Sequence, residues 1–588
     1  MDVETAFEHS TASADAPPAY SSAGETLPSY RPPTSYKVGT RTLTRPLVQI
    51  PEVKAHLCLL RAFRDLRMLV EDGQIAEWPA AARMFAPSAR WAWFVGLAVE
   101  RFQRWAATAA PCGSLDGWIA REMPPVDVLM VWHTYVLSPM WYAEDTARVN
   151  ILGALRTMDG YLLAALVKLG DISIYEPSSQ RRDSWLKSCG TPFDPVASAA
   201  VMLDRTIVCP RCLASFAVPF IASDGTGYLQ PRFAAACPAC GLAATKDSLA
   251  VLKFARDVTL DPRSPDDRKH FGYGVYLAGT LRTTTDPTDE TAAAALKVKL
   301  HGVFKPPENV GTRDEWAKAI AENAQYSMDN IRNLVVFVAG LWRSKKVLEA
   351  YTDDRPFSVD LVEAILRQCY FIEKMVELGW TAPRALGDLH GEAVLQHAIV
   401  RYHAFLDLTS SAPEMFFVPT LDIDLIWHTH QMKCEIYHRD CGQLIKRYLD
   451  HEDRVEISRL ATSFDATCSA WQERFGVQYT FCGCPLAEST VAQRFAQLKH
   501  RLSGSTPPAL SPPQRADGRL ATHASEHSSM SLAPLGKSYV ALEDAKRHLR
   551  MGRLAHYRQD GDTSALGIHG GHQPAFLYPA SFSARPVN

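Results

Sequence analysis

Pro124-Pro125-Val126-Asp127-Val128-Leu129-Met130-Val131-Trp132-His133-Thr134 and Pro419-Thr420-Leu421-Asp422-Ile423-Asp424-Leu425-Ile426-Trp427-His428-Thr429 are the two stretches on which the fold turns. They align without a gap, and the agreement runs on to Tyr142 with Tyr437 and to Asp145 with Asp440. Arg101-Phe102 ahead of the first and Arg401-Tyr402 ahead of the second are compatible neighbours. Agreement at so many rare residue types points to an internal duplication. At 100° per residue, Val128, Met130, Val131, Trp132, Tyr135 and Leu137 spread around nearly the whole circumference. A helix apolar on every side is a buried one.

Burial fixes what the polar residues must do. Asp127 and His133 lie inside and need partners there. Asp127 and Asp422 fall in a first turn, where a carboxylate accepts free backbone N–H groups and complements the helix dipole. The motif core is therefore Asp127, Trp132, His133 and Tyr142 in one copy, and Asp422, Trp427, His428 and Tyr437 in the other. Trp132 and Trp427 read as packing anchors.

The copies differ in one respect with chemical weight. Asp424 and His430 stand in the second where the first has Leu129 and Tyr135. Asp424 and His428 are four residues apart and share a helix face. Asp424, His428 and His430 together form a candidate metal or acid–base constellation that needs further ligands from elsewhere. Satisfied core histidines are the plainer reading. A later stretch, Ala521-Thr522-His523-Ala524-Ser525-Glu526-His527, could fold back to supply such ligands, or be solvated loop.

Between the two motifs stands a different unit. Cys209-Pro210-Arg211-Cys212 and Cys237-Pro238-Ala239-Cys240-Gly241 deliver four thiolates at the spacing of a tetrahedral zinc site. Gly241 permits the tight backbone turn. Residues 206–208, 216–220 and 228–233 read as short strands, so a zinc ribbon with one structural zinc ion follows. A second metal is possible but not predicted. Arg205, Arg211, Arg232, Lys246 and Lys253 are offset by Asp204, Asp224 and Asp247, so no basic stripe emerges. Cys482-Gly483-Cys484 reads as packing at a helix end.

Helical periodicity covers 56–70, 91–105, 126–136 and 152–169, and resumes at 330–348, 359–378, 391–408, 421–437 and 455–475. Residues 177–205 read as irregular. The expected fold is mainly α: two related helical bundles, an inserted small β zinc ribbon, and disordered tails. The expected boundaries are 1–40 for a Pro/Ser-rich tail, 41–176 for the first bundle and 177–270 for linker plus ribbon. The second bundle follows at 271–485 and a low-order C-terminal tail at 486–588. Within the first tail, Pro17-Pro18-Ala19-Tyr20 has the form of a WW-domain ligand, with Pro17, Pro18 and Tyr20 as its contacts; plain linker is the competing reading.

With 588 residues the chain can bury sizeable cores. Its formal net charge of −2 offers no global field for nucleic acid or an anionic membrane. No apolar run approaches the ~20 residues of a spanning helix, and the first residues form no secretory leader. Thirteen cysteines in a chain of this length suit a reducing compartment rather than a disulfide scaffold. The expected location is cytoplasmic, with the nucleus left open.

The Asp-x-x-x-x-Trp-His-Thr repeats resemble those of the glycine-rich domain-containing protein-like family of fungi and plants. So do Ala55-His56-Leu57-Cys58-Leu59-Leu60, Thr191-Pro192-Phe193-Asp194-Pro195, Leu277-Ala278-Gly279-Thr280-Leu281, the 521–527 stretch and Ala575-Phe576-Leu577-Tyr578-Pro579. The likeness is to fungal-type members: with 33 Gly the chain has no glycine-rich tail. The resemblance implies regulatory or stress-linked roles and no catalytic residues.

The expected function is a non-enzymatic scaffold or adaptor with protein partners. The competing readings are an enzyme built on Asp424, His428 and His430, and nucleic-acid binding through the ribbon and Lys546, Arg547, Arg550 and Arg553.

Overall fold

Helices carry the fold in the computed structural model, and the strands pair as two-stranded antiparallel units. The structure describes residues 30–481 apart from 284, 287, 309, 340, 384, 414 and 453–456, together with 508–513, 521–525 and 529–531. Pro17, Pro18, Tyr20, Cys482, Cys484, His527 and the basic residues Lys546, Arg547, Arg550 and Arg553 lie outside these described residues. Among them, no helix is long and apolar enough to cross a membrane.

A short hairpin, β1 (Tyr36–Val38) and β2 (Arg41–Leu43), leads into α1 (Ile50–Asp72). A Gln49/Glu52 capping box opens α1, and Gly73 closes it at φ 69°. The next long helix, α2 (Pro87–Thr108), buries Trp91, Trp93, Phe94, Leu97, Phe102 and Trp105. The motif helix α3 (Val126–Val136) is buried from Asp127 through Val136, as its wheel requires. It is followed by α4 (Pro139–Arg148) and α5 (Asp159–Leu169). The expected single helix over 152–169 is broken at Met158, which separates a short helix, Gly153–Thr157, from α5. Residues 177–205, expected to be irregular, hold helices Ser179–Cys189 and Pro195–Val201, capped by Ser178 and Asp194. Asp194 accepts the Ala197 N–H and Pro195 takes the first helical position, so the Asp-Pro pair starts a helix there.

The cysteine unit contains β3 (Asp204–Val208) paired with β4 (Ser215–Pro219), and β5 (Ala235–Ala236) paired with β6 (Ala243–Ala244). Residues 228–233 are turns rather than the expected strand. A Thr245/Ser248 capping box then starts α6 (Lys246–Thr259). The helices α7 (Glu290–Val303), α8 (Arg313–Asn323) and α9 (Met328–Ala339) follow. Next come α10 (Leu361–Glu377), α11 (Leu389–Ser411), the second motif helix α12 (Leu421–Gln431) and α13 (Cys434–Asp440). The chain closes with β7 (Asp450–Glu452), α14 (Ile457–Phe475) and β8 (Ser529–Ser531), which pairs with β7.

The cores do not follow the expected boundaries. One apolar core takes residues from 36–249 and again from 357–524; another is built from 250–351. The 41–176 and 271–485 partition therefore does not separate two self-contained cores. The reason lies in cross-packing: α10 lies against α3, and α1 lies against α12, so each motif helix is covered by a helix from the other half. The 1–40 tail is also shorter than expected. Tyr36 and Val38 are buried, and Gly39 N–H donates to Asp407 Oδ1 at 2.9 Å. Residues 521–525, expected in the C-terminal tail, lie in the main core with Ala521 and Ala524 buried.

One histidine pins the β1–β2 region to α11. The His403 ring accepts Leu47 N–H at Nε2 (3.0 Å) and donates from Nδ1 to the Ile399 carbonyl (2.7 Å), which only the neutral ring can do. Burial holds it down at about 4, and it does the same to His397. Unfolded histidine titrates near 6.5. As pH falls below that value the unfolded chain takes up protons that the folded chain refuses. Each ring thus costs roughly 1.4 kcal/mol of stability per pH unit down to about pH 4. Melting temperatures measured from pH 7 to 4 should fall steeply, and less steeply in His403→Gln. An identical slope in the variant would contradict the assignment.

Candidate functional site

The two motifs make the same contacts at matched positions. Arg101 donates to Asp127 Oδ2 (2.5 Å) and Arg401 to Asp422 Oδ2 (2.7 Å), all four side chains being buried. Each guanidinium lies over a tryptophan, Arg101 over Trp185 at 5.2 Å and Arg401 over Trp471 at 5.3 Å. The second nitrogen of Arg101 donates to the carbonyls of Pro192 and Phe193, that of Arg401 to Thr420 Oγ1. Trp132 Nε1 donates to Tyr142 Oη (3.0 Å), and Trp427 Nε1 to Tyr437 Oη (2.9 Å). Those hydroxyls donate onward to the carbonyls of Leu155 and Leu449. Tyr135 donates to Asp145 Oδ2, and its counterpart His430 donates from Nε2 to Asp440 Oδ2 at 3.2 Å.

These contacts revise the expected role of the motif carboxylates. Their principal partner is an arginine from the preceding long helix, not only the helix end. Burial pushes the Asp127 carboxyl up, and Arg101 beside it pulls the other way. The two arginines were visible in the sequence only as neighbours of the motif; nothing in local spacing shows that they reach it.

The second-copy constellation is reorganised by the fold. His430 turns away from Asp424, accepting Tyr402 Oη–H at Nδ1 (2.9 Å) in addition to its bond to Asp440. Burial lowers its pKa, Asp440 opposing. In its place stands His451, from β7. His428 Nε2 lies 3.3 Å from Asp424 Oδ1 and 2.9 Å from His451 Nε2, and the three donor atoms fall within 4.8 Å of one another. Phe371 packs edge-on to His428, and Trp427 lies 5.0 Å from the His451 ring. Behind Asp424, Ser525 Oγ donates to Oδ2 at 2.6 Å. The downstream stretch does fold back: Leu421 N–H donates to His523 O, Asp422 N–H to Ala521 O, and Ser525 N–H to Pro419 O, each at 2.9 Å. It delivers the Ser525 hydroxyl rather than an imidazole.

In the first copy, His133 meets a different histidine. Its Nε2 lies 2.9 Å from His56 Nε2, and His56 Nδ1 lies 2.8 Å from Thr429 Oγ1. Thr429 spends its proton on the Leu425 carbonyl, so His56 donates from Nδ1 and His133 donates to His56. Burial lowers both rings, His133 to about 3, and the neighbouring imidazoles add to the effect. A chain of neutral groups thus crosses from one motif helix to the other.

The four cysteines come together as the spacing predicts. Cys209 Sγ lies 3.6 Å from Cys240 Sγ and Cys212 Sγ 3.5 Å from Cys237 Sγ, all four within 4.8 Å of one another. Each pair sits in a tight turn. Leu213 N–H returns to Cys209 O and Gly241 N–H to Cys237 O, with Leu213 and Gly241 at φ 62° and 73°. Backbone N–H groups of Arg211 and Cys212 reach the Cys209 sulfur, and those of Ala239 and Cys240 reach Cys237. Such N–H···S contacts stabilise thiolate ligands, and four thiolates suit zinc.

Of the basic residues around this cluster, Arg205, Lys246 and Lys253 are engaged with internal partners, whereas Arg211 and Arg232 are exposed. Arg205 is buried between Glu100 and Asp354 and lies 4.2 Å from the Tyr228 ring. Lys246 pairs with Asp353, Lys253 donates to the carbonyls of Ala350 and Phe357, and Arg211 lies over Tyr326. These contacts clamp the cysteine unit to residues 350–357.

Comparison with known proteins bears on one of these regions. Residues 313–440 match the family model for glycine-rich domain-containing protein-like proteins. Two curated proteins of Arabidopsis thaliana are similar over 132 residues: glycine-rich domain-containing protein 2 at 39% identity and glycine-rich domain-containing protein 1 at 36%. The aligned part is 21% of this chain and 16% and 15% of those two proteins, so the chain spans only a small fraction of its relatives' length. No solved structure matches. The matched region holds Arg401, Asp422, Trp427, His428, Tyr437 and Asp440 but neither His451 nor the cysteine cluster. Over residues 313–440, the chain is thus similar to the glycine-rich domain-containing protein-like family.

Proposed function

We propose that this protein is a non-enzymatic helical scaffold, assembled from a duplicated motif and held by one structural zinc ion on Cys209, Cys212, Cys237 and Cys240. The observation that carries the reading is the use of the motif residues. In both copies Asp, Trp and Tyr are engaged with buried partners of the same chain, the pattern of architecture rather than of a substrate site. The matched contact sets support common descent of the two motifs. A closed four-thiolate sphere leaves no position for water, so the ion folds the insert. Thiolate ligands suit a reducing compartment, which supports a location in the cytoplasm or nucleus. Nucleic-acid binding through the ribbon finds less support, because Arg205, Lys246 and Lys253 are spent on internal partners.

For partners, the surface that suits this role is a groove of about 770 Å³ between α1 and residues 172–196. Its floor is apolar, with Leu66, Leu69, Leu186 and Phe193, and its rim carries Asp65, Glu176, Asp183 and Asp194 against Arg182. That charge balance fits an apolar peptide segment with Lys or Arg flanks. Leu69 and Leu186 are half exposed. The double variant Leu69→Glu/Leu186→Glu should keep the melting temperature and lose partners of that chemistry in proximity labelling. An unchanged partner set would overturn the assignment.

The zinc site has its own test. Cys209→Ser should remove one zinc per chain and lower the melting temperature. Retention of all metal would refute the four-thiolate site.

A further inference from the structure

We propose a second metal site, distinct from the cysteine cluster, in which Asp424 Oδ1, His428 Nε2 and His451 Nε2 bind one first-row divalent cation. The argument starts from the donors. Two ring nitrogens face each other at 2.9 Å, and a carboxylate oxygen lies 3.3 Å from one of them. A single proton can bridge only one of these pairs at a time. A cation at about 2.0–2.2 Å from each donor satisfies all three at once, and spacings of 2.9 and 3.3 Å are those of donors sharing one ion. Two imidazoles and a carboxylate suit zinc and its neighbours rather than calcium or magnesium. All three residues are buried, which separates this cluster from the acidic groupings common on surfaces.

The surroundings are built for such an ion. Ser525 Oγ donates to Asp424 Oδ2, leaving Oδ1 directed at His428, the orienting contact that metal-bound carboxylates usually have. The Phe371 and Trp427 rings shield the imidazoles. The site also lies where long-range connections converge. Asp424 and His428 come from α12, His451 from the strand that pairs with residues 529–531, and Ser525 from the segment crossing the start of α12. An ion here would fasten the C-terminal segment to the second motif helix.

The test uses the full chain, stripped with chelator and titrated with zinc and, separately, with cobalt. Two equivalents should bind. One cobalt equivalent carries thiolate-to-metal charge-transfer absorption, and the other adds only weak ligand-field bands. His451→Ala should abolish the second equivalent and keep the first, while Cys209→Ser should do the reverse. Ser525→Ala should weaken the second site by about 10–100-fold. Binding of a single equivalent that carries the thiolate charge-transfer band would overturn the proposal without reference to any variant. So would a second equivalent that survives both His451→Ala and Asp424→Asn. Loss of the thiolate band alone would count against the zinc ribbon and not against this site.

Discussion

Trp427→Ala is expected to lower the unfolding free energy by about 3–5 kcal/mol, the range for removing a large aromatic side chain from a packed core. The side chain is fully buried, and three losses coincide there. The apolar area of the indole is no longer sequestered, a cavity forms beside His451, and Tyr437 Oη loses the donor at 2.9 Å. The Tyr437 hydroxyl still reaches the Leu449 carbonyl, so the tyrosine itself should stay in place. Trp427→Phe isolates the hydrogen bond from most of the volume and should cost far less. Trp132→Ala provides the matched experiment in the first motif, where the indole meets Tyr142 in the same way. Chemical denaturation of the four proteins checks the series. A Trp427→Ala variant with an unchanged midpoint would remove the packing-anchor role.

Arg401→Met is the second large effect, at about 3–5 kcal/mol, because it strands a buried carboxylate. The guanidinium is fully buried, bound to Asp422 and Thr420, and flanked by the Trp471 and Tyr479 rings. Without it, Asp422 keeps the Thr420 hydroxyl as its side-chain partner among the described residues. Asp422→Leu should cost a similar amount for the mirror reason, a stranded cation. The double variant should recover much of the loss, since neither charge then remains to be desolvated. Additive losses in the double variant would show that the pair does not act as a unit. Arg101 and Asp127 offer the same cycle, with the Pro192 and Phe193 carbonyls as extra acceptors.

Several features could be read directly from the order of residues. The wheel of 126–136 required a buried helix, and α3 is buried through that span. The spacing of Cys209, Cys212, Cys237 and Cys240 required four converging sulfurs, and they converge. Both readings depend on geometry that repeats over a few residues: 100° per step in a helix, or a turn closed within one Cys-x-x-Cys unit.

The rest was decided by contacts between residues far apart in the chain. His451 replaced His430 beside Asp424 because His430 found Tyr402 and Asp440 on its own side of the helix. His56 met His133 because α1 lies across both halves of one core, and Ser525 reached Asp424 over a separation of 101 residues. Periodicity states which face of an element is apolar, but not which distant element will cover it. That choice is made by packing and by the cost of leaving a buried polar group without a partner, and only the folded chain expresses it.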